Sequence, residues 1–407
     1  MRFLLPMVVL MSPLFAAEDD WPMWRGAGHD GIAAAGKMPP LELAPEKNLR
    51  WSAPVGGRGH GSACVYGQRV FIAAADEQAE TQSLLCFDRK TGKLRWEKQV
   101  HQGGFPEKMN KKASQASSTP ACDGERVFIN FFNAGAVHTT AYSLDGERLW
   151  QRKICDYVIH QGFSTSPAIY RSLVIVSADN KRGGAVCGLD RESGEVRWKV
   201  DRPKFPNYAS PIIHKIGGRD QLVLQGCNLV SSFDPMSGEK LWEHAGATTE
   251  CVSSIVTDGE RLFTSGGYPK NHVAAMEADG NGTVAWENTS RVYVPSMLVR
   301  DGHLFAIMDN GNAMCWECES GEELWRERLL RTTSASPVMV GERIYAVDEG
   351  GGYAVIKADP GSFEVLSKGK LGGDVFATPT ICGGEIFIRV ATQEGGERRE
   401  KLLCFGG

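Results

Sequence analysis

Short apolar runs broken by turn-forming residues dominate the chain, as in RVFI (126–129), HLFAI (303–307) and RIYAV (343–347). Around Leu85–Phe87 and Leu94–Trp96 the apolar side chains fall at every second position, the period of a half-buried strand and not of a helix. A longer repeat lies over this alternation. CFDRKTGKLRWE (86–97) recurs as GLDRESGEVRWK (188–199), SFDPMSGEKLWE (232–243) and CWECESGEELWR (315–326), with variants SLDGERLWQ (143–151) and ADGNGTVAWE (278–287). Glycine precedes tryptophan by four positions in each copy, and the copies are 39 to 54 residues apart, which marks a repeat architecture. Asp88 is placed to cap the turn, and Gly92 to take the positive φ that closes a short hairpin loop. The residue two before the acidic position is small in most copies (Cys86, Ser143, Gly188, Ser232, Cys315), which leaves room for a ring. Each of Trp51, Trp96, Trp150, Trp198, Trp242, Trp286 and Trp325 is therefore expected to pack against a neighbouring unit's hairpin.

Every unit opens on a Ser/Thr-rich segment, often ending in proline: SACVYGQRVFI (62–72), SSTPACDGERVFI (117–129), STSPAIYRSLVIV (164–176) and five more, the last ATPTICGGEIFI (377–388). Asp123-Gly124, Asp258-Gly259 and Asp301-Gly302 are strong hairpin signals. A third strand then leads to the Asp–Gly turn and a fourth carries the tryptophan, giving a four-stranded antiparallel meander. Eight openings but only seven complete units follow Trp51. The eighth stops at LLCF (402–405), while the strand LRWSAPV (49–55) has no hairpin partner of its own. Joining these two removes both exposed edges. The prediction is an all-β, eight-bladed β-propeller whose last blade is closed by the N-terminal strand, over 49–407, preceded by an arm over 18–48. Unit seven departs from the pattern, with Val365–Leu366 where tryptophan is due.

Composition adds an address. MRFLLPMVVLMSPLFAAEDD has one positive charge, an apolar run and a small-residue cleavage point, so residues 1–17 read as a cleaved signal peptide for a periplasmic or secreted protein. No later apolar run is long enough to span a bilayer. The net charge of −4 gives nucleic acid no basic surface to bind. Eleven cysteines in an exported chain invite disulfides. Yet Cys86, Cys315 and Cys404 share one slot of the repeat, where packing by a small residue is the reading. Cys315 and Cys318 form a lone CxxC without a second pair for zinc or a following His for haem attachment.

The segment CFDRKTGKLRW resembles the quinoprotein (PQQ-like) repeat, of form A-x-D-x-x-T-G-x-x-x-W, with Cys86 in the alanine position. The whole chain is similar to exported PQQ-like propeller proteins of the planctomycete type. WPMWRGAGHDG (21–31), ASSTPACDGERVF (116–128), VPSMLVRDGHLF (294–305), GGEIFIRV (383–390) and LLCFGG (402–407) carry that similarity. The resemblance implies the eight-bladed ring and export, and brackets two functions. Quinoprotein alcohol dehydrogenases bind pyrroloquinoline quinone (PQQ) with calcium in the funnel, against two adjacent, disulfide-linked cysteines; this chain has no adjacent cysteine pair and lacks the long inserts of that group. BamB-like assembly factors use the ring as a non-catalytic scaffold and are usually lipoproteins, whereas no cysteine follows the expected cleavage point here.

A ligand site in such a ring belongs at a channel mouth, among the segments entering each innermost strand. Those segments offer Arg58, His60, Lys112, His160, Gln161, Tyr208, Glu250, Tyr293, Arg331 and Asp374. Charges of both signs with aromatics suit a small polar ligand such as a sugar, or a polar peptide. The insert HQGGFPEKMNKKASQA (101–116) reads either as a loop folded over a mouth or as solvated decoration. GGRGHG (56–61) precedes a strand, so it is no phosphate cradle at a helix N-terminus. No catalytic or metal-ligating set stands out. The expectation is a monomeric, non-enzymatic exported scaffold without a cofactor, binding an envelope or secreted protein or a glycan. A PQQ- and calcium-dependent dehydrogenase is the alternative.

Overall fold

The computed structural model describes residues 19–407. The expected signal peptide lies outside the described residues. Eight antiparallel sheets follow one another along the chain. Blade one comprises Cys64–Tyr66, Arg69–Asp76, Thr81–Asp88 and Leu94–Gln102, each strand paired with the next. Blades two to seven repeat that order, and their first strands meet around the central axis. One four-residue helix, Pro45–Asn48, interrupts the β structure, and among the described residues no helix is long and apolar enough to cross a membrane.

The ring closes as the strand count requires. Blade eight takes Thr380–Cys382, Glu385–Glu394 and Glu397–Gly406 from the C-terminus and its outer strand, Leu49–Val55, from the N-terminus. Trp51 stands opposite Cys404, in the register that Trp96 has with Cys86 and Trp325 with Cys315. Arg89 of blade one and Arg50 both bind the buried Glu385 carboxylate, at 2.7 Å each, across this seam.

Tryptophan joins the blades in sequence. The indole N–H of Trp51 donates to the Arg89 carbonyl in the turn of blade one, that of Trp96 to Leu144 of blade two, and that of Trp150 to Arg191 of blade three. Trp198, Trp286 and Trp325 reach Pro235, Cys318 and Asp359 in the same way. The turn glycine lies under the ring. A Cβ on Gly194, whose φ is +70°, would come within 2.6 Å of Trp150. Trp242 differs: blade five's expanded turn sets Gly280 beside its ring and Gly282 beside His244, and its N–H bonds Gln221 of its own blade at 3.0 Å. The small residue two before the acidic position also has its reason, since a Cβ on Gly188 would lie 2.4 Å from the Trp198 indole nitrogen. All eleven cysteines are free, and ten are buried. Burial pushes the thiols of Cys315 and Cys318 up to about 12, which makes them packing groups and not nucleophiles.

The arm is stitched across the inner strands of the ring. Trp21 exchanges both backbone bonds with Val65 of blade one, and the Pro22 carbonyl accepts from Cys122 of blade two. The Trp24 indole reaches Ser254 of blade five at 2.9 Å, and the buried Arg25 guanidinium binds the carbonyls of Asp30 and Met297. Ile32–Ala33 then pairs in parallel with Val338–Val340 of blade seven. One segment thus ties non-adjacent blades together and stoppers one end of the channel.

Candidate functional site

The site begins with the hydroxyl residues that open each blade. The backbone N–H of Ser62 donates to Thr119 Oγ1 of the next blade, Thr119 to Ser166 and Ser166 to Ser210, at 2.9–3.0 Å. After a break the series resumes from Ser254 to Ser296, Ser296 to Ser336 and Ser336 to Thr378, each 2.9 Å. Each N–H comes from the strand entry of one blade, where no sheet partner exists, so the neighbour's hydroxyl satisfies it. One break, between blades four and five, is where Trp24 of the arm occupies Ser254 Oγ. At the other, between blades eight and one, Ser62 Oγ is buried without a partner.

Strand alternation puts the residue two positions earlier on the same side, facing the axis. These residues are His60, Ser117, Ser164 and Tyr208 from blades one to four, and Val252, Val294, Ser334 and Phe376 from blades five to eight. All eight line a cavity of about 890 Å³. Trp24 of the arm lines its inner end. Its outer end is crossed by the insert, in which Asn110 donates through its backbone N–H and its Nδ2 to the carbonyl and Oε1 of Gln161 of blade three, and Lys112 Nζ lies 2.8 Å from Glu349 of blade seven. Lys111 offers its carbonyl to Arg58, at 3.1 Å. The insert therefore folds over the mouth.

The wall is chemically uneven. His60 stacks on Phe376 with ring centroids 4.6 Å apart, and its Nε2 has no hydrogen-bond partner. Burial, with Arg58, Arg389 and Arg398 nearby, pulls its pKa down to about 3, so the ring is neutral. Opposite, the buried Glu250 carboxylate meets His160 Nε2 at 3.2 Å and the Tyr293 hydroxyl at 3.5 Å. Tyr208 accepts the Gln161 N–H through its hydroxyl at 3.3 Å. Burial first, and Glu250 second, raise both phenols well above their usual range, so they remain hydrogen-bond donors. Asp309 accepts the backbone N–H groups of Tyr293 and Val294, and burial raises its pKa against those bonds. The Arg291 guanidinium lies over the Tyr293 ring, 5.1 Å from its centroid.

Seven of the ten candidate residues thus come together: His60, Lys112, His160, Gln161, Tyr208, Glu250 and Tyr293 all line the cavity. Arg58, Arg331 and Asp374 do not. Arg58 turns to Glu77 and the Lys111 carbonyl, and Asp374 to Arg398 at 3.5 Å. Arg331 is held by its backbone N–H on Asp348. Arg58 and Asp374 occupy the same repeat position as Glu250, four before the belt hydroxyl, and each makes the same isolated bridge to its blade's second strand. That shared position does not fix where the side chain goes. Trp24, Asp309, Glu349, Arg291 and Phe376 were not singled out from sequence. Counting back two residues from each Ser/Thr opening would have found Phe376, but nothing local marks the others.

Calcium finds no ready ligand set in this wall. Calcium asks for about six to eight oxygen ligands. Glu250, Asp309 and Glu349 are each engaged elsewhere, and among the described residues no group of three or more His, Cys, Asp or Glu side chains could hold a metal ion.

The family model for the outer membrane protein assembly factor BamB matches residues 41–159, 156–326 and 269–364. Among curated proteins, BamB of Moranella endobia is 21% identical over 385 residues, covering 88% of this chain and 91% of that protein. BamB of Yersinia pestis is 22% identical over 365 residues, covering 87% and 77%. Among solved structures, BamB from Moraxella catarrhalis superposes with a TM-score of 0.61 at 13% identity, over 87% of this chain and 96% of that one. A europium-containing methanol dehydrogenase gives 0.71 at 10% identity, over 96% and 98%. At such identities the likeness to solved structures shows the shared ring and no activity. The family matches, in contrast, run through most of the chain, which therefore belongs to the family of the outer membrane protein assembly factor BamB.

Proposed function

We propose that this chain is an exported, non-enzymatic scaffold that binds an envelope or secreted partner at the open mouth of its channel. What enters the mouth is a segment of a protein or a small polar or glycan group. The observation that carries this reading is the blind cavity of about 890 Å³, lined by one residue from every blade and stoppered by the chain's own arm. Its volume lies in the range of small-molecule sites, and its carboxylates are already held by groups of the wall. Relatives named as assembly factors support a scaffold over an oxidoreductase. Export rests on the leader-like first residues.

Capture from envelope extracts with the mature protein tests the reading. Wild type is expected to retain a partner that Tyr293→Ala retains at least about tenfold less. A partner list at background, or one unchanged by the substitution, counts against it. Titration with PQQ and Ca²⁺ under dye reduction is expected to give no turnover, and saturable binding with turnover would replace the scaffold by a dehydrogenase.

A further inference from the structure

We infer that the cavity is a chamber for an uncharged saccharide of about two to four residues, entered by lifting the 105–112 part of the insert, whose latch is the Lys112–Glu349 pair. This rests on the mouth being the binding site, and it names what binds there and how it enters.

The ligand class follows from how the wall treats charge. Each cavity carboxylate has a partner in the wall: Glu250 has His160, Glu349 has Lys112, and Asp309 has two backbone N–H groups. A charged ligand would have to compete with these partners, and displacing His160 would leave the buried Glu250 carboxylate without its partner, which is costly. Arg291 also lines the cavity, but its guanidinium is spent on the Gly267 carbonyl, Asn271 and the Tyr293 ring. Most of what stays available is neutral and works in both directions. The phenols of Tyr208 and Tyr293 and the serine hydroxyls of Ser117, Ser164 and Ser334 can donate or accept. Sugar hydroxyls also do both. Apolar sugar faces need flat apolar surface, and the stacked His60–Phe376 pair provides it on the far side of the cavity from Tyr208 and Glu250.

The entry route follows from the loop. Gly103 and Gly104 sit at its start with φ of +68° and +77°, anchored through Asn133 Nδ2 to the Gly103 carbonyl at 2.6 Å. Beyond them, residues 104–110 have no regular secondary structure. Across the mouth the loop is held by exposed contacts, Asn110 on Gln161 and Lys112 on Glu349, with Lys112 61% exposed. Exposed ion pairs are weak and screened by salt. The opposite end gives no entry, because the arm there is bound through buried backbone and guanidinium contacts.

The test uses the whole mature protein and its tryptophan fluorescence, for which Trp24 at the cavity floor is the reporter. Maltotriose, cellotriose and N-acetylchitotriose are titrated beside sialyllactose and glucose 6-phosphate. At least one neutral trisaccharide is expected to give a saturable change, with the charged sugars at least tenfold weaker. Tyr208→Phe and Tyr293→Phe, which keep the rings and the packing, are expected to weaken that binding about threefold to tenfold. Lys112→Ala is expected to speed association up to about fivefold in low salt, with the advantage shrinking at high salt as screening loosens the wild-type latch. If the charged sugars bind as well as or better than the neutral ones, the ligand class is wrong. If no sugar binds but envelope capture remains sensitive to Tyr293→Ala, the saccharide is wrong and the scaffold stands. If neither responds, both fall. If association is indifferent to Lys112→Ala, the latch is discarded.

Discussion

An outer-strand tryptophan has a place to go only where the following blade offers a turn between its third and fourth strands. Blade eight has no such turn, because its fourth strand comes from the other end of the chain, and blade seven accordingly carries no tryptophan: the register places Ser367, opposite Val355, in that slot, two residues beyond the expected Val365. The same logic makes Trp51 indispensable, since blade one's turn, with Gly92 under the ring, has no other cover. Trp51→Ala is expected to cost about 3–5 kcal/mol in urea unfolding, and a loss no larger than that of a surface substitution would refute closure through this ring. Gly194→Ala meets two obstacles, a positive φ and the Trp150 indole, and is expected to cost at least about 1–3 kcal/mol. Asp, Gly and Trp were legible in sequence because they recur at fixed spacing. The exception at Trp242 was not, because one displaced glycine in ADGNGTVAWE changes its partner without changing the pattern.

At the scale of elements, the arm and the eight Ser/Thr openings determine what the cavity can be. The openings were visible in sequence as unit starts, but their role depends on an N–H in one blade meeting a hydroxyl about 40 to 57 positions later, a pairing that only the closed ring supplies. The arm was legible only as a segment ahead of the first blade, not in its path through the ring. Arg25 is its anchor: a guanidinium whose pKa burial lowers to about 10, bonded to Met297 of blade six. Arg25→Ala removes donors from buried carbonyls and is expected to cost about 2–4 kcal/mol. It should also raise solvent quenching of Trp24 by acrylamide; a destabilised protein with unchanged quenching would mean the arm does not seal the channel.

The whole molecule carries a set of histidines kept uncharged by burial. His29 and His60 are pulled down to about 3 and His101 and His214 to about 4, with burial the largest cause in each and nearby cationic or histidine groups adding to it for His29, His60 and His101. Once unfolded, each takes up a proton near pH 6.5. Between about pH 6.5 and 4 the unfolded chain thus binds more protons than the folded one, so stability falls as pH falls through that window. Asp88 and Asp190, held at about 2 by bonds from Arg95 and from the Ser193 backbone N–H, add their loss only below about pH 4. The urea midpoint is expected to be level above pH 7 and to drop from pH 6.5 downward. His29→Asn suits the left-handed backbone at φ 57° and should flatten that slope; an unchanged slope would exclude His29 as a contributor. The join between Leu49–Val55 and Glu397–Gly406 has a consequence of another kind. Trp51 and Cys404, which face each other, are 353 positions apart. In a chain made N-terminus first, the closing strand emerges before any blade and waits, unpaired, until the last residues follow. Such a strand is a template for wrong partners during the whole interval. LRWSAPV carries its own protection, an arginine and a proline in seven residues. Pro54, with no N–H to offer, lets the strand find its place at the outer edge of one sheet while denying a second chain a complete ladder.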